Sequence, residues 1–103
     1  LRLAFADRPH SRRIGVRLAE LESEAGEWPA AEAIYRRLTA VHPDDPRLWN
    51  NWAVVQYRRG DRHGARSLWR EALRRAPDYR PAAEALAGAQ AAEDESAPPS
   101  AGE

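Results

Sequence analysis

The chain has 103 residues, 16 basic against 16 acidic, and contains neither cysteine nor methionine. That length is one small domain, and without cysteine there is no disulfide framework, thiolate metal site or cysteine nucleophile. The balanced charge disfavours a polyanion as the main partner, because phosphate binding needs an excess of Lys and Arg.

Taken in chain order, residues 1–11 read as the end of a helix and a turn, with Leu3 or Phe5 packing on the first hairpin and Pro9 interrupting. Because the chain opens at Leu1 rather than Met, it is expected to be a piece of a longer or processed protein with a further repeat upstream. Ile14, Leu18, Leu21 and Ala25 then recur at three- or four-residue steps, the spacing of one helix face. Gly26 and Glu27 break the pattern, and Ala31, Ile34, Tyr35, Leu38 and Val41 resume it, which predicts a helical hairpin. A second hairpin runs through Leu48, Trp49, Trp52, Ala53, Val55 and Gln56 to Gly60, then through Ala65, Leu68, Trp69, Ala72 and Leu73 to Ala76.

The boundaries have physical causes. Asp45 ahead of Pro46 is a good N-cap, since its carboxylate accepts first-turn amides and proline at the first helical position loses no hydrogen bond. Asp61 serves the next helix in the same way. Gly26 and Gly60 stand where a helix ends in a left-handed residue, and Pro43 and Pro77 disfavour helix at His42 and Ala76. A last helix is expected over residues 80–93, with Leu86 and Ala87 at its core positions. Residues 94–103 hold Pro98, Pro99, Ser100 and Gly102 without a large apolar side chain, so they read as a disordered acidic tail.

Apolar residues make up 43% of the chain, and 21 of them are alanine, which favours helices at close approach over a globule filled with large aliphatics. Pro9, Pro43 and Pro77 stand 34 residues apart. In the same register Gly26 pairs with Gly60, Leu18 with Trp52, Ala19 with Ala53, Ala31 with Ala65, Tyr35 with Trp69 and Leu38 with Ala72. A fixed period of this size signals stacked repeats. The chain resembles the tetratricopeptide repeat family, whose pattern is W-x2-L-G-x2-Y, then A-x3-F, then P. The second repeat carries Trp49, Trp52, Ala53, Gln56, Ala65, Trp69 and Pro77 there; the first carries Gly15, Leu18, Ala19, Glu22, Ala31, Tyr35 and Pro43. The departures are Gly15 for the aromatic, Trp52 for leucine, and Glu22 and Gln56 for tyrosine.

The resemblance implies an all-α, right-handed superhelical stack of antiparallel helical hairpins, an α-solenoid, with one repeat over residues 12–45, a second over 46–79 and a capping helix after them. It also implies a scaffold for protein binding, in which first helices line a concave groove that holds a peptide or a neighbouring subunit. Projecting the helical period places Arg13, Val16, Arg17, Glu20, Ser23 and Glu24 on that face in the first repeat. In the second it places Arg47, Asn50, Asn51, Val54, Tyr57 and Arg58 there, and Pro81, Glu84 and Gly88 continue the row. Asn side chains suit a peptide backbone, Tyr57 offers area and a hydroxyl, and Arg47 and Arg58 suit a carboxylate. Family members that clamp a C-terminal carboxylate use Lys, Arg and Asn distributed over three first helices. Here Asn51 matches, but Val16, Glu20, Pro81 and Ala85 stand at the other positions, so that ligand is not expected.

No enzyme, cofactor or metal signature is present. His10, His42 and His63 fall in turns or at helix starts without a two-ligand spacing, and Glu20, Glu22 and Glu24 alternate along one helix and so point in different directions. Trp28, Trp49, Trp52 and Trp69 are read as packing side chains, with Trp49 partly exposed. No apolar run spans a bilayer and no leader pattern occurs, so no membrane contact and no small-molecule substrate are expected. Divided at the repeat boundaries, the net charge is −1 over residues 1–46, +6 over 47–80 and −5 over 81–103. The expected partner is therefore a protein or peptide with an acidic segment, for which the acidic tail competes. Self-association as part of a longer solenoid is the alternative, and nucleic acid bound by the Arg-rich second repeat ranks below both.

Overall fold

In the computed structural model, residues 9–96 are described, with side chains described for residues 12–92. Five α-helices follow one another: α1 (Pro9–Glu24), α2 (Trp28–Val41), α3 (Pro46–Arg58), α4 (Arg62–Arg75) and α5 (Arg80–Ser96). No strand occurs among the described residues. Each helix packs on the next, and α1 also touches α3, so α1 and α3 lie side by side as the first helices of two stacked hairpins.

The helix ends obey the turn chemistry. The Asp45 carboxylate accepts the Arg47 amide at 3.1 Å, and Asp61 accepts the Gly64 amide at 2.9 Å, so both N-caps satisfy amides that the helix leaves free. Gly26 and Gly60 adopt φ of 82° and 97°, the left-handed region that a side chain disfavours. After each, the chain hydrogen-bonds back into the preceding turn, Glu27 N–H to the Glu22 carbonyl and Asp61 N–H to the Gln56 carbonyl, which closes both hairpins alike.

Two apolar clusters form the interior. Ala19, Ala31, Tyr35, Leu38, Leu48 and Val55 are buried together, with Val16, Trp28, Ile34 and Trp52 packed against them. Ala53, Ala65, Trp69, Ala72, Ala82 and Ala89 form the second, flanked by Trp49, Leu68, Leu73, Tyr79 and Leu86 among others. Trp69 is thus a core residue and the other three tryptophans are half-buried. Trp49 donates its indole N–H to the Pro43 carbonyl at 2.8 Å and stacks on Trp52 with ring centroids 5.9 Å apart.

Four expectations change. Pro9 starts α1 instead of lying in a turn, so helix covers residues 9–11, because proline fits a first helical position as readily as a turn. The last helix runs on to Ser96, through the first three residues of the expected tail; Glu93, Asp94 and Glu95 are acceptable helix formers and nothing breaks the helix before Pro98. The expected tail from residue 97, like the expected helix end over residues 1–8, lies outside the described residues. In α5 the buried positions are Ala82 and Ala89, with Leu86 packed against them and Ala87 exposed. In α1 the stripe Ile14, Leu18 and Leu21 is exposed.

Candidate functional site

The groove between α1 and α3 begins with an ionic tie. Arg12 on α1 donates to the Asp45 carboxylate at 2.7 Å, and Arg47 holds the same carboxylate at 3.1 Å, so one acid joins the N-terminal ends of both helices. Burial pushes the Asp45 carboxyl upward, but the Arg47 and Arg12 hydrogen bonds outweigh it and hold the group below the usual carboxylate range. The same contact raises the Arg47 guanidinium. Above this tie opens a cleft of about 290 Å³ lined by Arg12, Arg13, Val16, Asp45, Arg47, Leu48 and Asn51. Its rim carries cationic side chains and the positive ends of two helix dipoles, so an anion is favoured there.

Farther along the groove lies a smaller cleft of about 190 Å³, lined by Glu20, Ser23, Glu24, Tyr35, Asn51, Val54, Val55 and Arg58. Glu20 and Glu24 share one face at a four-residue spacing, so they meet here although Glu22 between them does not. The i, i+4 relation is present in the sequence and outweighs the alternation. Tyr35 and Ser23 are buried beneath, and both hydroxyl oxygens lack a hydrogen-bond partner. Burial raises the Tyr35 phenol, and the nearby Glu20 charge adds to it against a smaller opposing effect of Arg58. Asn51 lines both clefts, so it stands between them.

Among the residues expected on the concave face, Arg13, Val16, Arg47 and Asn51 line the first cleft, and Glu20, Ser23, Glu24, Asn51, Val54 and Arg58 line the second. Arg17, Asn50 and Tyr57 line neither, nor do Pro81, Glu84 and Gly88 on α5. Arg17 is exposed and meets Glu20 at 3.5 Å along the helix. Asn50 is half-buried with its carbonyl oxygen buried and without a partner. Tyr57 lies against Trp69 at 5.9 Å between centroids, with Arg62 over its ring, so the hairpin itself uses much of its area. Arg12, Asp45, Leu48, Tyr35 and Val55 are lining residues that the helical projection misses. Arg12 is legible only as the partner of a cap on another helix.

The basic second repeat is partly neutralised. Arg59 pairs with Glu32, Arg74 and Arg75 pair with Glu71, and Arg75 also reaches Asp44. No cluster of three or more His, Cys, Asp or Glu able to hold a metal occurs among the described residues. No described helix is long and apolar enough to cross a membrane.

Two sequence models described as tetratricopeptide repeat match the chain, one over residues 12–55 and the other over 46–79. The chain belongs to the tetratricopeptide repeat family. The first match runs past the expected boundary at residue 45 to take in most of α3, the helix that packs on the first hairpin. No curated protein matches the chain in a sequence search. Tetratricopeptide repeats generally mediate protein–protein interaction and are typically non-catalytic.

Proposed function

We propose that the chain is a non-catalytic interaction module that holds an extended peptide segment along the α1–α3 groove. Arg13, Arg47 and Asn51 receive an acidic group, and Glu20, Glu24 and Val54 receive a basic side chain with its apolar stem. The observation that carries this reading is that Asn51 lines both clefts; in this reading a peptide backbone crosses from one to the other over its carboxamide. A carboxamide offers two donors and an acceptor, enough to pair with a backbone amide and carbonyl together. The two ends differ in charge, so the groove reads the direction of its ligand. A uniformly acidic partner, which the charge distribution along the sequence favours, uses only the Arg13 end.

Arg13 and Glu20 are about 10 Å apart along α1 and Arg13 and Glu24 about 16 Å, at 1.5 Å per residue. An extended peptide covers that span in about three to five residues. The test is a peptide array of 12-residue sequences in which one Asp and one Lys are placed at varied separation and in both orders. Retention is expected to peak at separations of about three to five residues. Asn51→Ala is expected to weaken the best peptide about tenfold in fluorescence anisotropy, the loss of one well-placed charge-free hydrogen-bond pair. A preference for all-acidic peptides without regard to spacing, or retention unchanged by Asn51→Ala, moves the site elsewhere.

A further inference from the structure

The two buried hydroxyls of the second cleft have no task in the fold. Tyr35 is fully buried and Ser23 is 2% exposed, yet neither hydroxyl oxygen has a hydrogen-bond partner. Thr39, likewise buried, shows the usual solution, donating to the Tyr35 carbonyl at 2.9 Å along its own helix. A helical serine has the same option, and Ser23 does not use it. Both residues instead line the cleft of about 190 Å³. The Tyr35 phenol senses Glu20 and Arg58 together, so its oxygen lies on the floor between the α1 wall and the α3 wall. Two buried polar groups that forfeit their hydration and gain no partner are held ready for something that enters.

The groups above them say what enters. Glu20 and Glu24 stand one helical turn apart on the α1 wall, with Ser23 in the turn between them. Glu24 has no ion pair with a described residue, and Glu20 meets Arg17 in an exposed contact at 3.5 Å that solvent screens. Arg58 faces them from α3. Two carboxylates against one guanidinium leave the cleft one negative charge in excess, which one cation neutralises. Four oxygen-bearing groups therefore surround a space equal to about six waters, and the adjoining Val54 and Val55 give it an apolar side. A guanidinium brings five N–H donors in one plane and is weakly hydrated, whereas an ammonium is a compact, strongly hydrated charge with three donors. A floor of buried hydroxyls beneath carboxylates suits the first.

We infer that the second cleft is an arginine pocket, in which the guanidinium of a partner's arginine enters along Val54, pairs with Glu20 and Glu24, and donates to Ser23 Oγ and Tyr35 Oη. The inference rests on the peptide reading and deepens it, naming arginine over lysine as the basic residue taken at that end of the groove. Lysine meets the carboxylates and leaves the floor unpaired. The acids thus set affinity for any cation, and the hydroxyls set the choice between the two.

Two titrations of the 103-residue chain test it. In amide proton–nitrogen correlation spectra, N-acetylarginine methylamide is expected to shift Ser23, Asn51 and Val54 with a millimolar dissociation constant, and the lysine counterpart to bind about tenfold more weakly. Ser23→Ala combined with Tyr35→Phe brings the arginine probe to the level of lysine and leaves lysine unchanged. Glu24→Gln, at an exposed position, weakens both probes. In the second titration, exchanging Lys for Arg in the best 12-residue peptide tightens it about tenfold, and does so only while the hydroxyls are present. No shift with arginine, equal binding of the two probes, or a preference that survives removal of both hydroxyls overturns the inference. Peptides held equally well with lysine and with arginine also overturn it and leave the peptide reading standing. Arginine-selective shifts in a chain that retains no peptide uphold the pocket and overturn the peptide reading.

Discussion

The two interior clusters occupy the same six positions of the repeat and fill them differently. Ala19, Ala31, Tyr35, Leu38, Leu48 and Val55 in the first correspond, 34 residues on, to Ala53, Ala65, Trp69, Ala72, Ala82 and Ala89 in the second. Three aliphatics become alanine and the tyrosine becomes tryptophan. Close packing fixes the total volume between helices more firmly than any one side chain. The second cluster therefore concentrates in Trp69 what the first spreads over Tyr35, Leu38, Leu48 and Val55, with Leu68, Leu73 and Leu86 closing in from its edge.

The largest expected effect breaks that contrast open. Trp69→Ala removes the one large side chain at the six positions and leaves alanines that cannot collapse into the gap, so it should cost about 4–5 kcal/mol, the upper part of the range for core truncation. Leu38→Ala removes one of several large side chains and should cost about 2–3 kcal/mol, because Tyr35, Leu48 and Val55 can relax toward the space. Urea titrations of both variants decide it. Equal losses would show that the flanking leucines share the burden of the second cluster as widely as the aliphatics share that of the first.

The two junctions also differ. Asp45 caps α3 and ties Arg12 to Arg47, whereas the equivalent position before α5 is Tyr79, which packs against the second cluster. Asp45→Ala should cost about 1–2 kcal/mol, the usual range for loss of an N-cap. Because the folded-state carboxyl is held below its ordinary value, its contribution is fully present above the unfolded pKa of about 3.9 and fades as pH falls through the lower folded value. The protection factor of the Arg47 amide, its exchange rate relative to the unfolded rate at the same pH, should accordingly fall below about pH 4 in the native chain, and Asp45→Asn should remove that acid step. The amide of Ala83, bonded to the Tyr79 carbonyl, is the internal control, since no carboxylate cap stands there.

Much of this fold is legible in the residues alone. Two glycines at one spacing, two capping aspartates and alternating small and large apolar residues dictate hairpins, because each signal acts within a few residues. The groove is half legible. A helical projection finds which residues share a face, and it finds Arg13, Val16, Glu20, Ser23, Glu24, Arg47, Asn51, Val54 and Arg58. It does not find what a neighbouring helix takes away, and so it counts Tyr57, occupied by Trp69 and Arg62, with them. The exposed stripe of α1 escapes it for the same reason. Its periodicity is that of a core face, and whether a core face is buried depends on the next helix along.

The smallest expected effect concerns the aromatic at the centre of each cluster, where a polar atom is buried without a partner: the Tyr35 hydroxyl in the first and the Trp69 indole nitrogen in the second. A buried hydroxyl without a hydrogen bond forfeits its hydration for nothing in return, while the ring keeps its packing. Tyr35→Phe is therefore expected to leave stability unchanged or raise it by up to about 1 kcal/mol, opposite in sign to nearly every other change in this cluster. A urea titration reads the sign directly. A loss of more than about 1 kcal/mol would mean that the hydroxyl is satisfied in solution by water admitted through the Glu20–Arg58 cleft, since that is the size of a typical net hydrogen bond. The floor of the peptide groove would then be wet and its polar contacts available to a ligand.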